Sequence, residues 1–133
     1  MRIRENCKLA GLAVLLLASV APATWGQDRW ELLGTAHVDG DADHDNISVG
    51  DVQGRFRSIQ LRVLGGAIEF GRVVVHYGDG ESEEVAVRER IPDGGKTRAI
   101  DLRGNQRFIR SVELWYGRGG WRKRPEVQLY GRR

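Results

Sequence analysis

A single cysteine, Cys7, lies within the first eight residues, so the rest of the chain can form no internal disulfide and its fold must rest on a hydrophobic core. The same scarcity removes cysteine from any metal site, and the three histidines, His37, His44 and His76, are too dispersed to make a zinc signature with each other. No serine stands in a G-x-S-x-G setting, which excludes the nucleophile elbow of the hydrolases. Long apolar runs are also missing. Leu9 to Val20 extends about a dozen residues, short of the roughly 20 that span a bilayer as a helix. No segment holds a helical period of apolar residues, and no large excess of one charge marks a nucleic-acid partner.

What the sequence does contain begins with a leader. Arg2, Arg4 and Lys8 precede the apolar run, and small residues follow it around Ala21-Pro22-Ala23 and Gly26, the order of a secretory signal peptide. Cleavage is expected after Ala23 or after Gly26. Cys7 precedes the run, whereas a lipid-acceptor cysteine would follow it. Residues 1–26 remove three bases and Glu5, lowering the formal charge from +3 to +1, so the mature part is close to neutral. The expectation is an exported protein, periplasmic or secreted, with residues 27–133 as one domain. A chain of roughly 100 residues buries enough surface for a single core.

That domain is organised around Gly104 to Gly117, a glycine-bounded run reading as a central β-strand. Strict alternation places Phe108, Val112, Leu114 and Tyr116 on one side and Arg107, Ile109, Ser111, Glu113 and Trp115 on the other. Further strands are expected at Trp30–Val38, Ile47–Val49, Arg55–Leu64, Ala67–Tyr77, Glu83–Ile91, Arg98–Leu102 and Pro125–Tyr130, with Asp79-Gly80 as a hairpin turn. About eight strands with glycine turns predict an all-β antiparallel sandwich, with a small β-barrel as the alternative. A shift of 53 residues aligns Ile47 with Ile100, Leu61 with Leu114, Val74 with Val127 and Tyr77 with Tyr130. Two halves of four strands, Trp30 to Tyr77 and Glu83 to Tyr130, would account for it.

The strings DHDNISVG, GRFRSIQLRVLGG, VVVHYGDGE, TRAIDLRGNQRFIRSVELWYG and VQLYG resemble an exported bacterial family, domain of unknown function 2541. The resemblance runs from about Trp30 to Gly131. It implies a small exported β-domain and brings no catalytic residue to carry over.

Two polar clusters are the candidate sites. Asp39, Asp41, Asp43, Asp45 and Asp51 resemble the start of a calcium loop, where alternate oxygens turn toward a hard cation. Val52 stands where that loop carries a bidentate glutamate, so the alternative is a solvated loop paired with arginine. Arg118, Trp121, Arg122, Lys123 and Arg124 put an aromatic ring among bases, suited to a glycan or an anionic surface. Its alternative is a ring folded over a sheet edge that the bases protect from pairing. No catalytic constellation is assembled. The expected function is therefore a non-catalytic binding module for a glycan, an anionic surface or a protein partner, or else a calcium-stabilised interaction domain, with no nucleic-acid partner.

Overall fold

A computed structural model describes residues 29–38, 44–50, 53–117 and 124–133. In chain order the strands are β1 (Trp30–His37), β2 (His44–Ser48), β3 (Arg55–Phe56), β4 (Ser58–Leu64), β5 (Ile68–Tyr77), β6 (Ser82–Val85), β7 (Arg90–Ile91), β8 (Ile100–Asp101), β9 (Arg107–Tyr116) and β10 (Glu126–Arg132). They form two antiparallel sheets that do not close on each other, so the sandwich is the observed alternative and the barrel is not. One sheet has the order β1-β10-β4-β8. The other runs β2-β9-β5-β6, with β3 added beside β9 and β7 beside β5.

Two expected strands are each divided. Arg55–Leu64 breaks at Arg57, and its halves join different sheets: β3 pairs with β9, whereas β4 pairs with β10 and β8. Glu83–Ile91 breaks after Val85, where residues 86–89 leave the ladder before Arg90–Ile91 returns to β5. The Asp79-Gly80 hairpin is present between β5 and β6, with Gly80 at a φ of 94°. Gly104 and Asn105, with φ of 86° and 75°, make the tight entry into β9.

β9 is central, as its apolar face requires: it pairs with β2, β3 and β5. The expected facing of its first half is reversed. Ile109 is fully buried and Phe108 is 37% exposed, because the β5–β9 register slips between His76 and Tyr77. One extra residue there, Arg110, puts Ile109 in the core together with Val112, Leu114 and Tyr116. A bulge shifts parity by one, which strict alternation cannot anticipate. The opposing layer comes from Ile59, Leu61 and Val63 of β4 and Val127 and Leu129 of β10, all fully buried.

The strand order has the two-fold arrangement that a duplicated four-strand half would give. Replacing β1, β10, β4 and β8 by β6, β5, β9 and β2 converts one sheet order into the other read backwards. Register agrees for part of it: Ile47 opposite Val112 corresponds to Ile100 opposite Ile59 at the 53-residue shift, and Ser48 opposite Ser111 to Asp101 opposite Ser58. It fails between β5 and β10. Val127 faces the core whereas Val74, though buried, is turned to the other side of its sheet beside Glu113, since a second bulge between Phe70 and Arg72 resets the parity of β5.

Candidate functional site

The open face of the six-stranded sheet carries a polar cluster built by register. His44 of β2 lies opposite Trp115 of β9, which lies opposite Arg72 of β5; one rung along stand Asn46, Glu113 and Val74, and next Ser48, Ser111 and His76. Glu113 thus sits diagonally between two histidines from different strands. Its two carboxylate oxygens are divided between them: Oε2 is 2.7 Å from His44 Nε2, and Oε1 meets His76 Nε2. Hydrogen bonding from His76 first, and from His44 second, holds the Glu113 carboxyl below the ordinary glutamate value. A carboxylate can only accept, so both imidazoles carry their proton on Nε2 in this arrangement.

Trp115 fixes the cluster laterally. The His44 ring lies 4.6 Å from the Trp115 ring, and the Arg72 guanidinium lies 4.8 Å above that same indole while its Nε reaches Glu84 Oε1 at 3.2 Å. A shallow depression of about 320 Å³ opens here, lined by His44, Asn46, His76, Arg110, Ser111 and Glu113. Among the described residues no three His, Cys, Asp or Glu side chains converge as a metal site would require.

A larger groove of about 600 Å³ lies where residues 86–89 swing away from β5, lined by Gly71, Glu84, Val85, Ala86, Arg88, Glu89 and Arg98. Part of its charge is used internally: Arg98 donates to the Ala86 carbonyl and Glu84 accepts from Arg72. It is the gap at a divided edge strand. A third cluster is a lock on the hairpin. Arg107 reaches Asp79 at 3.1 Å and Glu81 at 2.7 Å while lying 3.8 Å over the Tyr77 ring. The Tyr77 hydroxyl donates to Glu83, and burial first, then that bond, raises its pKa.

A family model described as Domain of unknown function (DUF2541) matches residues 10–131. The chain belongs to this family. The match begins inside the apolar run read as part of the leader and ends at Gly131 of β10. No curated protein and no solved structure matches the chain significantly.

Of the sequence-derived sites of this DUF2541 chain, Asp39, Asp41, Asp43, Asp51, Arg118, Trp121, Arg122 and Lys123 lie outside the described residues. Asp45 turns one carboxylate oxygen to the Tyr116 hydroxyl at 3.3 Å. Arg124 donates to the His37 carbonyl at 3.3 Å and so ties the end of its loop to β1. The His44–Glu113–His76 group escaped sequence reasoning, which counted the histidines as scattered. Alternation already put Glu113 and Trp115 on a side facing away from the main core; what brought His44 and His76 to them was strand register.

Proposed function

We propose that this DUF2541 chain is an exported, non-catalytic binding module whose recognition surface is the open face of its six-stranded sheet. The observation that carries the reading is the depression lined by His44, Asn46, His76, Arg110, Ser111 and Glu113. These are hydrogen-bonding side chains mounted on paired strands and braced by Trp115, and polar groups on rigid elements hold a ligand geometry better than groups on loops. The mixture of donors and acceptors suits a hydroxyl-rich ligand, a glycan above all. Binding is the favoured reading because the Glu113 carboxylate, divided between two imidazoles, joins the three side chains into one fixed hydrogen-bonding surface.

The test is a nuclear magnetic resonance titration of the mature domain with a panel of glycans. Shifts should centre on His44, His76, Ser111 and Glu113. Shifts confined to the Arg118–Arg124 loop or to the β1-β10-β4-β8 face would refute this surface.

A further inference from the structure

The imidazoles at this face have one nitrogen each in use. Their Nε2 atoms meet Glu113, and neither Nδ1 has a partner among the described residues. A proton added to either ring therefore goes to Nδ1 and creates a new cationic N–H donor that Glu113 does not consume. Histidine is the side chain whose charge ordinarily changes between pH 5 and 8.

The neighbouring charges define what that proton would do. From β5, Arg72 faces the cluster and is matched by Glu84 of β6 at 3.2 Å. From β9 come Glu113 and Arg110, and the Arg110 side chain has no ion pair among the described residues. From β2 only His44 is ionisable on this side, because Asp45 turns to the Tyr116 hydroxyl. With neutral imidazoles Arg110 and Glu113 cancel. With both rings charged the described residues lining the depression sum to +2, and hydrogen bonding from the rings favours the ionised Glu113 carboxylate between them.

We infer that this face is an acid-gated site for a polyanionic glycan, taking a sulfate or carboxylate group between Arg110 and the two imidazoles when His44 and His76 are protonated. The inference rests on the binding reading above and adds to it the ligand charge and the proton dependence. A glycan is favoured over an anionic membrane because the described residues lining the depression are all polar, and of the exposed large apolar side chains Leu32 lies on the other sheet while the Arg55 guanidinium lies 4.8 Å over the Phe108 ring. A volume of about 320 Å³ also suits one charged sugar ring better than a protein interface.

The experiment measures binding of dextran sulfate and of unsulfated dextran to the mature domain at pH 5.5 and 7.5 in low salt. Each new positive charge about 5 Å from an oxyanion strengthens binding roughly fourfold in water, so two should tighten dextran sulfate on the order of tenfold at the lower pH. Dextran should bind weakly and equally at both. His44→Gln with His76→Gln should remove the pH dependence, while His37→Gln, which changes the histidine beside Glu126 on the other sheet, should keep it. Equal affinity at both pH values, or a pH dependence surviving the double substitution, overturns the inference. If the double variant fails to fold, the wild-type histidine titrations decide: dextran sulfate must raise the midpoints of His44 and His76 and leave that of His37, and unmoved midpoints overturn it.

The arms separate the two readings. Binding on this face without pH dependence removes the gating and leaves the binding module, whereas shifts mapped elsewhere remove both. Preference for phosphatidylglycerol vesicles over dextran sulfate at pH 5.5 would replace the glycan by a membrane surface and refute the ligand assigned here.

Discussion

Gly131 gives a direct measure of how tightly the two layers meet. It lies on the inward side of β10, and a Cβ built there would stand 2.7 Å from Leu33 Cδ1 and 2.8 Å from Phe56 Cδ1. Its φ is outside the left-handed region, so Gly131→Ala is allowed by the backbone and its cost is one of space. Carbon atoms pack at about 3.5–4.0 Å, so Leu33 or Phe56 must retreat by nearly 1 Å, and both are buried. Overpacking of this kind costs about 1–3 kcal/mol, against about 0.4–1 kcal/mol gained by stiffening the unfolded chain. A net loss of about 1–2 kcal/mol should lower the Tm by roughly 5–15 °C in a domain of this size. Thermal unfolding followed by circular dichroism reads it directly. Leu33→Ala removes one of the two atoms in the way and leaves room into which the Phe56 ring can shift, so the double variant should be less destabilised than the two single losses added together. A Gly131→Ala protein melting within about 2 °C of wild type, or strict additivity in the cycle, would refute this packing of β10.

Leu114 is fully buried on the central strand, and Leu114→Asp would place an unpaired charge there; the cost is several kcal/mol, comparable with the whole stability of a typical domain, and the expected product shows no cooperative melting transition. The Glu113 carboxyl is held below its unfolded value, so its contribution to stability is present above that value and fades as the pH falls through the folded one. Glu113→Gln should therefore flatten the acid limb of Tm against pH below about 4.5, with little pH dependence lost above it. If Asp39, Asp41, Asp43, Asp45 and Asp51 hold calcium, a concentration a hundred times the Kd adds about 2.7 kcal/mol and roughly ten degrees or more to the Tm. Melting curves identical in calcium and in chelator would dismiss that reading.

The layers of the sandwich were readable because their strands alternate cleanly: Ile59, Leu61 and Val63, or Val112, Leu114 and Tyr116, announce a buried face by spacing alone. Parity was readable only until a bulge intervened. Arg110 looks in sequence like any other strand residue, yet it decides that Ile109 and not Phe108 enters the core. The divided strands were hidden for a related reason. A break at Arg57 that sends β3 and β4 into different sheets leaves the alternation of Arg55–Leu64 undisturbed on either side. The His44–Glu113–His76 group depends on contacts between residues 69 and 37 positions apart, which no local pattern encodes.

The position of β10 has a consequence for assembly in time. Every strand of the six-stranded sheet falls between His44 and Tyr116, so that sheet can pair completely while the last residues are still arriving. The other sheet cannot. β10 is its keystone, lying between β1 and β4, and without Glu126–Arg132 the first strand has no ladder partner among the described residues and β4 keeps only the two-residue β8 and the backbone bonds of residues 94–97. A nascent or truncated chain ending before Glu126 would hold Ile59, Leu61 and Val63 over a half-built layer, with two open edges ready to accept a foreign strand. The vulnerable interval of this sandwich closes when the seven residues of β10 take their place between β1 and β4.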